Sequence, residues 1–157
     1  MTFSQKEKFC MQDNKEILYQ EWFKKAEEDE LSIRALLEEG GGAPSTICFL
    51  AQQMSEKYLK GLLVFRVQIF RKIHDLLDLE TLLQSVDPDI IDIHAELTLL
   101  NRYYIETRYP GDYPEFSQKE AEEAFAAASR IKEFALKKTN SKKERKTTTK
   151  SFDLSSR

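Results

Sequence analysis

The sequence has few of the residues that build disulfide scaffolds, metal sites and tight turns. Its 157 residues include two cysteines, Cys10 and Cys48, too few for a disulfide framework, a four-cysteine zinc site or an iron–sulfur cluster. Five glycines and four prolines exclude a barrel or sandwich of many short strands. No apolar run approaches the ~20 residues needed to cross a bilayer, and the amino terminus lacks the apolar segment of a secretory signal. We therefore expect a soluble, cytoplasmic protein with no membrane partner.

Charge is distributed unevenly along the chain. The net charge is −3, yet residues 137–157 carry eight lysines and arginines against Glu144 and Asp153, so the rest of the chain is strongly acidic. An acidic body is poorly suited to non-specific duplex binding, which depends on neutralising phosphates. Residues 138–157 are predicted to form a basic disordered tail, because they contain too little apolar surface to offset their ordering entropy. Residues 1–14 are predicted to be a flexible N-terminal segment.

Apolar residues recur at three- and four-residue steps and do not alternate over a useful length, which predicts helices and no strands. The pattern gives five helical segments, at about 15–39, 44–65, 74–86, 89–107 and 117–137. We predict an all-α, up-and-down bundle of about five helices over residues 15–137, with Gly40-Gly41-Gly42 ending the first helix.

Three local signals add detail to this bundle. Asp87-Pro88 is typical of an N-cap followed by proline at the first helical position, and Ser117 with Glu120 has the spacing of a capping box. Asp29 falls on the apolar stripe of the first helix, where a carboxylate needs a hydrogen-bond or cationic partner.

Few residues offer metal or nucleophilic chemistry. His74 and His94 are the only histidines and belong to no metal-binding motif, so we expect no metal site and no cofactor. His94 is interpreted as structural, and His74, at a helix start, is either a capping or packing residue or part of a site. Neither cysteine has a neighbouring histidine or a Cys-x-x-Cys partner, so a thiol nucleophile is not expected.

Two polar groups of residues are candidates for binding. Gln53, Lys57 and Lys60 share one side of the second helix, where they could accept a phosphate or pair with Asp29 and other acids. A second, denser group occupies the segment Asn101–Pro110 and includes Arg102, Tyr104, Arg108 and Tyr109. Arginine binds phosphate in a bidentate way and tyrosine stacks on bases, so this group suits a nucleotide or RNA. The structural alternative is that the arginines cap helix carbonyls above packed tyrosines.

Taken in order, these segments resemble the HEPN family, a helical family named for its occurrence in higher eukaryotes and prokaryotes and for nucleotide association. The resemblance covers about Glu21 to Phe134. The matching segments are Trp22 with Ala26-Glu27 and Asp29, Ala51-Gln52-Gln53-Met54-Ser55-Glu56-Lys57 with Leu59-Lys60, His74-Asp75-Leu76, Tyr104 through Arg108-Tyr109-Pro110, and Ser117 to Ala128.

The resemblance implies a small helical bundle, often dimeric, that contacts nucleotides or RNA. Many prokaryotic members pair with a minimal nucleotidyltransferase in a toxin–antitoxin system, and ribonuclease members carry Arg-x(4–6)-His. This sequence departs from that motif, because Thr107, Arg108 and Tyr109 stand where the histidine would follow Arg102 after four to six intervening residues. Arginine stays protonated and a tyrosine hydroxyl has a reference pKa of about 10, so neither replaces histidine as a base.

We therefore expect a nucleotide- or RNA-binding module without catalytic residues that forms a homodimer and is the partner of a minimal nucleotidyltransferase in a toxin–antitoxin-like pair. The first alternative is a metal-independent endoribonuclease toxin that uses Arg102 and Arg108, with His74 approaching from another helix. The second is a non-catalytic dimerising scaffold. The predicted binding residues are Gln53, Lys57, Lys60, His74, Arg102, Tyr104, Arg108 and Tyr109.

Overall fold

The computed structural model describes residues 15–68, 72–111 and 113–151, and the side chains of residues 18–141 within those ranges. The described chain is helical and contains no strand, as predicted. Its elements are helix α1 (Lys15–Glu39), α2 (Pro44–Val67), α3 (Leu76–Gln84), a 3₁₀ helix (Pro88–Ile93), α4 (His94–Asn101), α5 (Tyr103–Glu106) and α6 (Gln118–Ser151). Residues 1–14, predicted to be a flexible segment, and residues 152–157 lie outside the described residues.

Helices α1 and α2 form an antiparallel hairpin. Gly40 takes the left-handed conformation (φ 64°) directly after α1, which confirms that the glycines end this helix. Near the open end of the hairpin, the Tyr19 and Phe65 rings meet edge to face with centroids 5.0 Å apart. Nearer the glycines, Lys57 Nζ lies 2.5 Å from Asp29 Oδ2. The carboxylate on the apolar stripe of α1 therefore has the cationic partner that its position requires.

Helix α2 is the central helix of the bundle. It packs against α1, α3, α4, α5 and α6, so nearly all of its faces are covered. Its apolar stripe, including Ile47, Met54, Tyr58 and Leu62, is fully buried. Because few of its faces reach solvent, α2 also buries polar side chains that must find partners inside the protein.

The predicted fourth helix is divided into three parts. Pro88 opens a 3₁₀ helix, α4 follows from His94, and a break at Arg102 separates α4 from the single turn of α5. Asp87 occupies the predicted N-cap position before Pro88, but its side chain caps no backbone N–H. Its buried carboxylate instead accepts hydrogen bonds from Arg66 Nε at 2.6 Å and Nη2 at 2.8 Å. This ion pair joins the end of α2 to the start of the 3₁₀ helix.

The start of α3 differs from the sequence pattern, whereas α6 starts after Ser117 as predicted but with half of its capping box. Helix α3 begins at Leu76 rather than His74, because the Asp75 side chain caps the backbone N–H groups of residues 77 and 78. At α6, the Ser117 hydroxyl accepts a hydrogen bond from the Glu120 N–H at 3.1 Å, which is one half of a capping box. No return bond from Glu120 to the Ser117 N–H occurs, and its carboxylate binds Arg102 and the Tyr103 hydroxyl instead.

Helix α6 is longer than the sequence pattern predicted. It continues to Ser151, so residues 138–151 are helical where a disordered tail was expected after Lys137. This segment contains no glycine or proline to end the helix, and its lysines, arginine and glutamate are good helix formers. None of the helices in the described ranges is long and apolar enough to cross a membrane.

We expect Gly61→Ala to lower the free energy of unfolding by about 1–3 kcal/mol, as overpacking of a core does. A Cβ at this position would lie 2.6 and 2.7 Å from two atoms of the buried Phe23 ring. Urea denaturation measures the change. Gly41→Ala is the matched control, since a Cβ there meets nothing within 4 Å. Equal stability of the two variants would contradict this close packing of α1 on α2.

Candidate functional site

A buried carboxylate lies at the centre of the candidate site. The Glu56 side chain, on α2, is 6% exposed, and its Oε1 lies 2.7 Å from Nζ of the equally buried Lys60. The same oxygen lies 3.1 Å from His74 Nδ1. Glu56 Oε2 accepts longer hydrogen bonds from Gln52 Nε2 at 3.4 Å and Gln53 Nε2 at 3.5 Å. Glu56 thus connects one face of α2 to the segment of chain that precedes α3.

His74 is fixed by three separate contacts. Glu56 binds its ring nitrogen, and Gln52 Nε2 donates to its backbone carbonyl at 3.2 Å. Its ring stacks on Tyr104 of α5, with centroids 5.2 Å apart and planes within 8° of parallel. Half of the His74 side chain remains exposed. The ring therefore has a defined orientation and an accessible edge.

Hydrogen bonds of Asn101 position α5 beside His74. Its Oδ1 accepts from the Leu76 N–H at 2.7 Å, and its Nδ2 donates to Asp75 Oδ2 at 2.9 Å. The end of α4 is thereby bound to the start of α3, which sets Tyr104 beside His74. Sequence reasoning assigned no role to Asn101 or Glu56. The available signal for Glu56 was its i,i+4 spacing from Lys60 on a helix with little polar surface.

Arg108 completes the group on the solvent side. Its guanidinium carbon lies 4.2 Å from the centroid of the Tyr104 ring and 5.3 Å from that of Tyr109. Its Nη2 donates to the Tyr109 hydroxyl at 3.3 Å. Arg108 and Tyr109 are exposed, whereas Tyr104 is half-buried. We call His74, Tyr104, Arg108 and Tyr109 the His74 cluster.

Arg108 differs from every other arginine whose side chain the structure describes. The others each bind a carboxylate: Arg34 binds Glu30, Arg66 binds Asp87, Arg102 binds Glu120, and Arg130 binds Glu96. Arg108 is held by aromatic rings and a hydroxyl, and forms no ion pair within the described part of the chain. Its charge is therefore available to an anion from outside.

The predicted polar side of α2 does not form one surface. Lys57 pairs with Asp29, whose pKa is raised by burial and lowered in part by that lysine. Lys60 is buried against Glu56 and lies 5.4 Å from the Trp22 ring centroid. Gln53 and Lys60 both bind Glu56, the carboxylate that holds His74, but Lys57 pairs with an acid of α1 instead. Lys57 and Lys60 therefore pair with acids, as the alternative to phosphate binding predicts.

Arg102 also lies apart from the His74 cluster. Its guanidinium binds Glu120, lies 3.7 Å from Glu106 and covers the Tyr103 ring. Tyr103 is fully buried, and burial raises the pKa of its hydroxyl, which donates to Glu120 at 3.1 Å. These contacts tie the break between α4 and α5 to α6, so the geometry favours a structural role for Arg102.

Cys48 and His94, the other candidates for reactive side chains, have structural environments. Burial raises the pKa of the Cys48 thiol to about 11, which leaves it protonated and unreactive near neutral pH. Cys10 lies outside the described residues. His94 Nδ1 lies 2.9 Å from Glu80 Oε2 and away from the His74 cluster. Within the described side chains, no group of three histidine, cysteine or acidic residues is placed to hold a metal ion.

Comparisons with known proteins were made on both the sequence and the structure. The model of the HEPN domain matches residues 19–139. Among solved structures, the chain is similar to the crystal structure of an archaeal HEPN homologue, with 30% identity and a TM-score of 0.60. That match covers 76% of this chain and 96% of the archaeal one. The comparison with curated proteins gave no match.

We expect Glu56→Ala to lower the free energy of unfolding by about 3–5 kcal/mol, the range for breaking a buried ion pair from one side. The substitution leaves Lys60 buried without its carboxylate and removes the partner of His74. Urea denaturation of this variant is compared with that of Glu133→Ala, which removes an exposed carboxylate from α6. A loss no larger than that of the control would show that the network around Glu56 does not support the fold.

Proposed function

Because the chain belongs to the HEPN domain family, we propose that it is a nucleotide- or RNA-binding module whose binding site is the His74 cluster. The observation that carries this proposal is Arg108. It is exposed, it is fixed against aromatic rings, and it has no carboxylate partner within the described chain.

The chemistry of the cluster suits a phosphate next to a base. A guanidinium binds phosphate oxygens in a bidentate fork, and its planar group loses little freedom when aromatic contacts already orient it. Exposed Tyr109 offers a ring face on which a base can stack, which is worth about 1–3 kcal/mol in single-stranded complexes. Arg108 and Tyr109 are adjacent in the chain and in contact, so one nucleotide can engage both.

The charge of the protein favours a small or single-stranded ligand over a duplex. The cluster supplies one unpaired arginine, whereas most of the chain outside the basic C-terminal segment is acidic. A duplex presents many phosphates to such a surface and gains little from counterion release. A nucleotide or an unpaired RNA segment presents one phosphate to Arg108 and its base to the rings.

We propose that the module is not catalytic. No histidine follows Arg102 after four to six intervening residues, and Arg108 and Tyr109, which stand there, cannot exchange a proton readily near neutral pH.

The second candidate function is a metal-independent endoribonuclease. His74 and Arg108 come from different segments but contact the same Tyr104 ring, so one tyrosine links a histidine and an arginine without the usual linear motif. Histidine at this place can act as an acid or a base. Incubation with RNA therefore separates binding from cleavage.

We further propose a homodimer that associates with a minimal nucleotidyltransferase in a toxin–antitoxin-like pair. This proposal rests on what prokaryotic HEPN proteins commonly do. It is also consistent with exposed apolar surface beside the cluster, where Ile105 is 55% and Tyr109 is 57% exposed. Exposed apolar residues next to a binding site are typical of surfaces that meet another protein.

We expect Arg108→Ala to lower the affinity for single-stranded RNA about 10- to 100-fold, the range for losing hydrogen bonds to a charged group. Fluorescence anisotropy with a fluorescein-labelled RNA, in a metal-free buffer containing a chelator, measures the affinity. Arg102→Ala is the matched control, because it removes an arginine of the same segment that already binds Glu120. The control is expected to retain wild-type affinity, and thermal melting verifies that both variants are folded.

Three other outcomes are informative. Cleavage of the RNA by the wild type, lost in Arg108→Ala, would replace the binding module with the endoribonuclease. Equal affinity of the wild type and Arg108→Ala would reject the His74 cluster as the site. Absence of binding to RNA and to free nucleotides would leave the dimerising scaffold.

Sedimentation equilibrium tests the homodimer directly. We expect the mass of two chains over a wide range of protein concentration, and a monomer mass throughout would reject this part of the proposal.

Co-expression with a minimal nucleotidyltransferase whose gene neighbours that of this protein tests the partnership. The partnership requires that the two proteins purify together.

A further inference from the structure

The contact between Glu56 and His74 decides which ring nitrogen carries the proton. Glu56 forms an ion pair with Lys60, and a carboxylate can only accept hydrogen bonds. Since Glu56 Oε1 lies 3.1 Å from His74 Nδ1, Nδ1 is the nitrogen that donates. In the neutral ring Nε2 then has no hydrogen and is an acceptor. Within the described part of the chain Nε2 has no hydrogen-bond partner.

The orientation of this acceptor is fixed. The Glu56 carboxylate is buried and held by Lys60, so it cannot turn away to release the ring. Stacking on Tyr104 fixes the plane of the ring, and Gln52 holds the backbone of His74. In its neutral form, a histidine held in this orientation accepts a hydrogen bond from a ligand group that carries a hydrogen, such as a hydroxyl.

The shared contact of His74 and Arg108 with Tyr104 indicates which ligand hydroxyl the acceptor binds. Both side chains contact the Tyr104 ring, so a ligand whose phosphate is on Arg108 needs to extend by about one sugar to reach His74. In RNA the 2′-hydroxyl is the hydrogen-bond donor next to a backbone phosphate, whereas the base donors lie on the far side of the sugar. The 2′-hydroxyl is also the group by which a protein distinguishes RNA from DNA.

We infer that His74 Nε2 accepts a hydrogen bond from the ribose 2′-hydroxyl of a ligand bound at Arg108, and that Glu56 is the positioning residue that makes Nε2 an acceptor. This inference rests on the proposed function and narrows its ligand to ribonucleotides. It gives the buried ion pair of α2 a role in selectivity, separate from its role in stability.

The test compares three single-stranded oligonucleotides of one base sequence. They are RNA, the same sequence with 2′-fluoro sugars, and DNA containing deoxyuridine in place of thymidine. The 2′-fluoro oligonucleotide keeps an RNA-like sugar but has no hydroxyl hydrogen to donate. We expect the full-length protein to bind RNA about three- to tenfold more tightly than either analogue, as the net value of one hydrogen bond implies.

Two variants distinguish the hydrogen-bond acceptor role of His74 from its stacking on Tyr104. His74→Phe keeps a flat ring against Tyr104 but has no acceptor. We expect this variant to bind the 2′-fluoro oligonucleotide as tightly as the wild type does, and to bind RNA no more tightly than the 2′-fluoro oligonucleotide. His94→Phe is the matched control, because His94 also pairs with a carboxylate, that of Glu80, but lies outside the cluster. This control keeps the preference for RNA.

A measurement without ligand tests the positioning role of Glu56. Nitrogen-15 NMR of the two histidines distinguishes a ring protonated at Nδ1 from one protonated at Nε2. We expect the Nδ1-protonated form of His74 in the wild type, and a shift towards the other form in Glu56→Gln, whose amide can donate to Nδ1.

The possible failures are distinguishable. Binding that depends on Arg108 but is equally tight for RNA and the 2′-fluoro oligonucleotide overturns the inference and leaves the proposed function standing. A His74 ring protonated at Nε2 in the wild type overturns it without reference to any ligand. Absence of Arg108-dependent binding rejects the proposed function itself.

Discussion

The structure depends on one carboxylate that the fold places out of water. Glu56 lies on the helix against which the other five described α-helices pack, and an isolated charge there would be too costly to bury. Lys60 neutralises it from the next turn of α2, and Gln52 and His74 supply further hydrogen bonds. The chain before α3 therefore has to approach α2 at this point. The stability of the core and the geometry of the surface site have the same origin.

Basic side chains near the candidate site are held in two different ways. Lys57, Lys60, Arg66 and Arg102 each satisfy an acid on another turn or another helix, so their charges are used in folding. Arg108 is oriented by aromatic rings, which fix its position without neutralising its charge. A guanidinium that is ordered but not neutralised is suited to an anionic ligand. This contrast separates Arg108 from Arg102, although both belong to one short segment rich in tyrosine and arginine.

Much of the bundle could be predicted from local sequence. The periodicity of α1 and α2, the glycines between them and the need of Asp29 for a partner all depend on residues near one another in the chain. The errors arose where distant contacts override local preference. Asp87 is the N-cap residue that the sequence predicts, but its carboxylate pairs with Arg66 and Lys138 and makes no cap hydrogen bond. Glu120 has the spacing of a capping box, but its side chain binds Arg102 and Tyr103. The end of α6 was misplaced because a polar helix has no apolar stripe to reveal it.

By itself, the sequence determined the helical class, the order of the main helices, the family resemblance and the segment that contains Arg108 and its tyrosines. These follow from periodicity, from composition and from the order of motifs, which are properties of the chain alone. Only the tertiary structure decided which charged residues remain available and which histidine joins them. His74 meets Tyr104 because Glu56 and Asn101 bind the chain around it from two other helices. No spacing in the sequence predicts the contact between His74 and Tyr104, because the partners of ion pairs and hydrogen bonds are determined by distances in the folded chain.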